Sequence, residues 1–204
     1  MYVSEAVKSR FSCRAFTEKP VSKELIKEIL DVAKQAPSGG NLQPWHIHVI
    51  SGKKLDQIVS DIESKITDMP MGEKTEYDVY PPNLWEPYRS RRFKCGEDLY
   101  KSINIPREDK GARLSQLAKN LRFFDAPVGL FVYIDRKMGP PQWSDVGMFL
   151  QTVMLIAREK GLHSCAQEAW AMWHSTVNKH LVVDNNLMLF CGMGIGYADE
   201  NHPI

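Results

Sequence analysis

The sequence SDVGMFLQTVMLIAREKG, residues 144–161, is one of the two longest helical patterns in the chain and is apolar on nearly all sides. Ser144 is a suitable N-cap and Gly161 a suitable C-terminal stop, so one uninterrupted helix is predicted between them. A helix without a broad polar face must be covered by other elements over most of its surface. We therefore expect this helix to lie at the centre of the protein.

Shorter patterns of helix and strand surround this segment. Helices are predicted over residues 4–10, 22–36, 53–66 and 107–124, with Ser4 and Ser22 as N-caps. Strands are predicted over 45–52, 126–135 and 187–198. Because these elements do not alternate as a regular strand–helix–strand series, the sequence indicates an α+β fold.

The stretch from Met69 to Pro106 contains prolines among aromatic and charged residues, and they interrupt every apolar pattern. We predict an irregular or partly helical excursion here, within one domain that covers residues 1–204. Its basic run, YRSRRFK at 88–94, is interpreted as a solvated helix face. Excursions of this length are often lids or binding loops.

Composition and charge exclude several classes of protein. The chain has 26 basic and 25 acidic residues, a net charge of +1, and no strong basic stripe, which argues against nucleic-acid binding. Four widely spaced cysteines without a CxxC motif favour a reducing compartment, so we expect a cytoplasmic protein. We expect neither a signal peptide nor a membrane span.

The segment SRFSCRAF, residues 9–16, could hold an anion. Arg10 and Arg14 are four residues apart with Ser12 between them, a spacing that can direct two guanidinium groups and a hydroxyl at one phosphate. The alternative is two solvated arginines with Ser12 as a helix cap. Cys13 is either a thiol whose pKa the arginines lower or a small packed residue.

The loop APSGGNLQPW, residues 36–45, combines conformational freedom with short polar groups. Gly39 and Gly40 allow the backbone to lie against a flat ligand. Ser38, Asn41 and Gln43 supply donors and acceptors suited to a pyrimidine-like edge. A plain loop after a helix would explain the glycines and Pro37, but not the series of polar residues.

A third stretch, HSCAQEAWAMW at 163–173, follows the long helix and is predicted to form a turn that presents backbone N–H groups. Glu168 is either a catalytic carboxylate or a surface residue, while Trp170 and Trp173 are expected in the core. His46 and His48 share one strand face and are interpreted as structural or surface groups rather than metal ligands.

These three motifs in this order, together with NLRFFDAPVGLFV at 120–132, resemble the FMN-dependent nitroreductase family over nearly the whole chain. The resemblance implies a nitroreductase-like fold with a mainly antiparallel sheet and the long apolar helix at the interface of a homodimer. It implies two FMN sites at that interface. The residues assigned to FMN are Arg10, Phe11, Ser12, Cys13, Arg14, Pro37, Ser38, Gly39, Asn41, Gln43, Gln167, Glu168 and Ala169.

By this resemblance, Arg10, Ser12 and Arg14 hold the ribityl phosphate or the pyrimidine edge. The loop residues come from the partner subunit, and the backbone of Glu168 and Ala169 lies near flavin N5 and O4. No side chain is assigned as catalytic, because the flavin performs the chemistry. Family members also continue past a GY segment into a tail with Lys or Arg that completes the phosphate site, whereas this chain continues only as ADENHPI.

The implied activity is hydride transfer from NAD(P)H through FMN to a nitroaromatic or quinone acceptor by a ping-pong mechanism. The aromatic residues of the excursion are expected to determine which acceptor binds. They are Tyr77, Tyr80, Trp85 and Phe93. Two alternatives stay open: a reductive dehalogenase or specialised dehydrogenase on the same scaffold, and a flavin-binding protein without turnover.

Overall fold

The computed structural model, which describes residues 1–203, contains a four-stranded antiparallel sheet flanked by helices. The strands are β1 (His46–Ser51), β2 (Val128–Asp135), β3 (His163–Gln167) and β4 (Leu187–Gly196). Their order is β1-β2-β4-β3, so β2 and β4 form the middle of the sheet and β1 and β3 its edges. The predicted α+β class with a mainly antiparallel sheet is confirmed.

Seven α-helices accompany the sheet in the described part of the chain. They are α1 (Val3–Ser9), α2 (Lys23–Ala33), α3 (Gly52–Glu63), α4 (Tyr88–Ser102), α5 (Lys110–Ala118), α6 (Pro140–Glu159) and α7 (His174–His180). Short 3₁₀ segments lie at Gly39–Asn41, Lys119–Asp125 and Glu168–Trp173. Ser22 caps α2 as predicted, since its side chain accepts a hydrogen bond from the Leu25 N–H. Ser4 does not cap α1, because the helix begins one residue earlier and Glu5 accepts from the Tyr2 N–H.

The long helix α6 begins at Pro140, four residues before the predicted Ser144 cap. Proline at the first position favours this start, because its fixed φ suits a helix and its missing N–H needs no partner. Ser144 lies inside the helix and donates back to the Pro141 carbonyl oxygen. At the other end Gly161, with φ +78°, ends the helix as predicted. One face of α6 is buried, whereas residues such as Met148 on the opposite face stay partly exposed in the single chain.

The two faces of the sheet pack against two hydrophobic cores. Along β2, Leu130 and Val132 point into a core shared with α2 and α6. The alternate residues Phe131 and Tyr133 point into a second core shared with α3, α7 and the 3₁₀ segments. This alternation follows from the two-residue period of a strand, and both faces are apolar because both are covered.

The predicted helix over 107–124 is wrong in its last third. Helix α5 ends at Ala118, and Phe123, Phe124 and Asp125 all have left-handed φ values between 53° and 65°. This backbone turns the Phe123 ring under the sheet, where it stacks on Trp170 at a centroid distance of 4.3 Å. The packing of one buried ring therefore overrides the local helical pattern.

The excursion at 69–106 is partly helical, as predicted, through α4. This helix has no buried residue, which agrees with the interpretation of 88–94 as a solvated face. No helix among residues 1–203 combines the length and the hydrophobicity that a bilayer crossing needs.

Strand β4 has a glycine, Gly192, at the position where the rings of Trp170 and Phe123 lie closest to the strand. A Cβ on Gly192 would lie 2.3 Å from Trp170 Cδ1 and 2.9 Å from Phe123 Cε1. We expect Gly192→Ala to lower the free energy of unfolding by about 3 kcal/mol, because both rings would have to move within a packed core. Urea denaturation followed by tryptophan fluorescence measures the change.

Gly111→Ala is the matched control, since a Cβ at this exposed position of α5 would make only an ordinary 3.7 Å contact. It should leave stability unchanged or raise it by about 0.5–1 kcal/mol. Equal stabilities for the two variants would show that the rings do not constrain Gly192.

Candidate active site

The N-terminal motif lies along the outer edge of β3. Ser12 forms a parallel bridge with Ser164, and the Cys13 N–H donates to the Ser164 carbonyl oxygen at 3.1 Å. Phe16 forms an antiparallel bridge with Ala198. These contacts fix the backbone of the motif beside the strand that leads to Gln167 and Glu168.

Neither arginine of this motif has a carboxylate partner in the described part of the chain. Arg14 is half-buried, and its Nη1 donates only to the Ser12 carbonyl oxygen at 3.1 Å. Arg10 forms no side-chain hydrogen bond or ion pair within residues 1–203. Two guanidinium groups without a counter-ion fit a phosphate dianion, which can accept their charge-assisted hydrogen bonds.

A third cation that the sequence motifs did not indicate adjoins this pair. Arg158, in the last turn of α6, donates from Nη1 to the Leu162 carbonyl oxygen at 2.8 Å. It also lies 3.3 Å from His163 Nδ1. Burial, and secondarily the charge of Arg158, lowers the pKa of His163, so the ring stays neutral near pH 7. His163 packs against Phe11 with a ring-centroid distance of 5.1 Å.

Cys13 is a packed residue and not an activated thiol. It is buried, and this burial raises its pKa more than Arg14 and Arg158 lower it. Cys165 lies on the adjacent strand, and burial raises its pKa to about 11. The alternative of an arginine-activated Cys13 is therefore wrong, because loss of water disfavours the thiolate more than the arginines favour it.

The third motif differs from the predicted turn. Its first five residues form β3, and only Glu168–Trp173 turn as a 3₁₀ segment. Trp170 and Trp173 are fully buried, so the expectation that they belong to the core is confirmed. Gln167 is also buried, and its Nε2 donates to the Asn120 carbonyl oxygen at 2.7 Å.

The side-chain oxygen of Gln167, Oε1, indicates which groups a ligand bound here would carry. This atom is buried and has no hydrogen-bond partner among residues 1–203, which is unfavourable unless a further group reaches it. The neighbouring Glu168 has a raised pKa, because surrounding protein displaces water from its carboxylate. An unsatisfied acceptor at the end of β3, the strand along which the arginine motif lies, fits a ligand with both N–H donors and a phosphate, as FMN has.

The glycine loop uses its polar side chains largely to fix its own shape. Gly40, Asn41 and Gln43 have φ values of 56°, 56° and 49°, the left-handed region that glycine and asparagine tolerate best. Ser38 Oγ accepts from the Gln43 N–H at 2.9 Å, and Gln43 Nε2 donates to Asn41 Oδ1 at 2.9 Å. Much of the loop, including Pro37 and Gly39, is exposed in the single chain.

Helix α6 separates this loop from the arginine motif. The Gly39 N–H donates to buried Asp145 near the start of α6, whereas the Arg158 Nε donates to Ser9 near its end. Asp145 and Arg158 are thirteen positions apart in the helix, which corresponds to about 20 Å along its axis. The structure thus brings together the motifs at 10–14 and 167–169, but it does not join the loop to them within one chain.

His46 and His48 carry no sign of a metal site. His46 is exposed, and the His48 ring packs edge-on against Tyr133 at 5.3 Å. Burial and the neighbouring His46 lower the pKa of His48. Both features agree with the interpretation of these two residues as structural or surface groups.

Comparison with known proteins identifies the family. Residues 7–197 match the family model described as the nitroreductase family, which is nearly the whole chain. The chain therefore belongs to the nitroreductase family, and the resemblance inferred from the motifs is confirmed.

Three relatives illustrate this membership. The chain is 40% identical to a 4-nitrobenzoate reductase of Pseudomonas putida over 97% of this chain and 86% of that protein. It is 36% identical to a nitrobenzene nitroreductase of Ectopseudomonas oleovorans over 99% of this chain and 89% of that protein. A crystal structure of the FMN and NADPH-dependent nitroreductase NfnB from Sphigopyxis sp. strain HMH superposes with a TM-score of 0.96. That match has 47% sequence identity and covers 100% of this chain and 91% of the NfnB chain.

These matches confirm the predicted class, an oxidoreductase of the nitroreductase type with the corresponding fold, and they support FMN as its cofactor. They do not test the individual site residues, which stay predictions.

Asp145 is the buried residue that holds the glycine loop to α6, with its Oδ2 3.2 Å from the Gly39 nitrogen. We expect Asp145→Ala to increase the exchange rate of the Gly39 amide about tenfold, because its acceptor is lost. Hydrogen exchange followed by NMR measures this rate. Ser144→Ala is the control, since that exposed hydroxyl bonds only to Pro141 within the helix. An unchanged rate in Asp145→Ala would mean that other contacts fix the loop.

Proposed function

We propose that this protein is an FMN-dependent oxidoreductase that passes hydride from NAD(P)H to a nitroaromatic acceptor. The observation that carries the proposal is the pair of uncompensated arginines, Arg10 and Arg14, in the segment that pairs with β3, the strand that ends at the unsatisfied Gln167. The relatives named for nitrobenzene and 4-nitrobenzoate favour a nitroaromatic acceptor. A quinone is the second acceptor that we expect.

The residues of this chain bind and orient the cofactor. Arg10, Ser12 and the half-buried Arg14 hold its phosphate or pyrimidine edge, and a guanidinium at that edge stabilises negative charge that develops on the ring system. The backbone N–H groups of Glu168 and Ala169 orient the reactive edge. Bound FMN supplies a two-electron carrier that accepts hydride from nicotinamide and delivers it to the acceptor. No protein nucleophile is needed for this chemistry.

The active protein is, in this proposal, a homodimer with α6 at its interface. The partly exposed face of α6 favours a site completed by the partner's loop. So does the length of about 20 Å along α6 between Asp145, which contacts the loop, and Arg158, which contacts Ser9. Pro37, Ser38, Gly39, Asn41 and Gln43 then act on the neighbouring subunit's cofactor. The four cysteines are unpaired, in agreement with the expected cytoplasmic location.

Three of the four aromatic residues named for acceptor specificity are available to contact a ligand. Tyr80, Trp85 and Phe93 are exposed. Tyr77 is not available, because its hydroxyl donates to the Phe190 carbonyl oxygen and its ring packs on Trp143. We therefore assign acceptor contacts to Tyr80 and Trp85 and a structural role to Tyr77. Phe93 instead lines a groove of helix α4 together with Arg92 and Tyr100.

Rapid mixing separates this function from its alternatives. Anaerobic holoprotein should lose its yellow colour on mixing with NADPH or NADH and regain it on mixing with nitrobenzoate or a quinone. Parallel lines in double-reciprocal plots are expected, because both substrates use one face of the cofactor in turn. A protein that binds FMN but is not reduced by either nucleotide would be a flavin-binding protein without turnover.

Arg14→Gln tests the cofactor site directly. Because one charge-assisted hydrogen bond contributes about 1.5–3 kcal/mol, we expect the dissociation constant for FMN to rise about 10- to 100-fold. Fluorescence of released flavin measures this constant. Arg122→Gln is the control, since that arginine is exposed and pairs with Asp125 at 2.8 Å. Equal FMN affinities in wild type and Arg14→Gln would place the phosphate elsewhere.

A further inference from the structure

The excursion divides into an anchored inner part and a projecting outer part. We call residues 69–77 the strap and residues 78–106 the arm. The strap is tied to the body of the protein, because Glu73 accepts from both the N–H and the hydroxyl of Thr176 at 3.0 and 2.7 Å. Glu76 accepts from Arg136 at 2.6 Å. The strap therefore fixes where the arm begins.

The arm contains a groove that no part of the proposed hydride-transfer site uses. This groove lies between the turn at 83–84 and helix α4 and has a volume of about 680 Å³, within the usual range for ligand sites. Two arginines and two aromatic rings line it, together with Glu97. They are Arg89, Arg92, Phe93 and Tyr100.

One of these arginines carries an uncompensated charge. Arg89 donates to Glu86 at 2.9 Å, and Glu97 is neutralised by two hydrogen bonds from Arg113 at 2.6 and 3.1 Å. Arg92 has no carboxylate partner within residues 1–203; its guanidinium lies on the Tyr80 ring, 4.1 Å from the centroid. The groove as a whole is therefore positive.

Two further arginines extend this positive surface. Arg91 lies 5.9 Å from the Tyr88 ring centroid, and Arg107 lies 5.1 Å from that of Phe93. Neither has an ion pair in the described part of the chain. Helix α4 carries five basic and two acidic residues, although the whole chain is almost neutral. Arginine planes alternating with exposed rings suit a ligand that combines a flat base with phosphate.

We propose that this groove binds the adenosine end of NADPH, with Arg92 contacting the 2′-phosphate and the ring of Phe93 stacking on adenine. This inference rests on the proposed function, which requires a nicotinamide donor but does not choose between NADPH and NADH. The 2′-phosphate is the group that distinguishes the two nucleotides. A cation without a carboxylate partner favours the phosphorylated one.

The position of the groove favours a dinucleotide over a small acceptor. The groove is in the arm, on a helix without buried residues, whereas the cofactor residues lie along the edge of β3. A nitroaromatic acceptor has only one aromatic ring to place and needs no second site. NADPH has two ends, so its nicotinamide can lie at the cofactor while its adenosine end occupies a separate groove.

Direct binding tests the groove without turnover. The FMN-loaded protein is titrated with adenosine 2′,5′-bisphosphate and with 5′-AMP in a calorimeter, so that the flavin site is already filled. We expect the bisphosphate to bind at least about tenfold more tightly, the effect of one charge-assisted hydrogen bond. Arg92→Gln should abolish this difference, and Arg92→Lys should retain part of it, because lysine keeps the charge without the planar fork.

Lys94→Gln is the matched control on the same helix. Lys94 is exposed and forms an ion pair with Asp98 at 2.5 Å, so its loss changes the charge of α4 without changing the groove. This variant should keep the preference for the bisphosphate. Equal loss in Lys94→Gln and Arg92→Gln would indicate a diffuse charge effect and overturn the assignment of Arg92.

Steady-state kinetics then separates this inference from the proposed function. Arg92→Gln should raise KM for NADPH about tenfold, with kcat for NADPH and both constants for NADH unchanged. Retained nitroreductase activity without selectivity for the bisphosphate would refute the groove alone. A protein that neither binds FMN nor oxidises either nucleotide would refute the proposed function. The same titration of that FMN-free protein would then test the groove, and a preference for the bisphosphate would still support it.

Discussion

The packing of Phe123 and Trp170 against the glycines of the central strands is the interaction on which the site depends. A side chain on Gly129 or Gly192 would overlap the ring of Phe123, and one on Gly192 would also overlap Trp170. Because these rings lie so close to the sheet, the chain on either side of them is fixed. Asn120 then holds Gln167, and the backbone at 168–169 enters its 3₁₀ turn at the end of β3.

The charges of two arginines add a binding capacity for anions to the backbone that this packing fixes in place. The protein is almost neutral overall, yet Arg10 and Arg14 are left without carboxylate partners within residues 1–203. Elsewhere on the surface, pairs such as Arg122 with Asp125 and Lys94 with Asp98 are common. Arginines that lack such partners, on a backbone fixed by strand pairing, are prepared for an anionic ligand. Arg92, another arginine without a carboxylate partner in the described part of the chain, extends the same argument to the groove in the arm.

The sequence by itself identified the family, the α+β class and most elements. Local rules were sufficient for these features: alternation predicted β1, a serine cap predicted the start of α2, and Gly161 predicted the end of α6. The motif at 10–14 and the glycine loop were recognisable because both have unusual residue types at fixed spacing. The order of the motifs indicated the cofactor class.

Tertiary structure decided the features that depend on residues distant in the sequence, namely one backbone turn, the state of one thiol and the position of one arginine. The left-handed backbone at Phe123 follows from ring packing against β4, so the helical pattern before it was misleading. Burial determined that Cys13 is a packed thiol, although Arg14 follows it directly in the sequence. The sequence did not indicate that Arg158 adds a third positive charge beside the arginine motif. The fold places Arg158, at the end of α6, against Ser9, which is 149 residues away in the chain. Sequence patterns report local preference and residue type, whereas burial and charge pairing depend on residues that only the fold brings together.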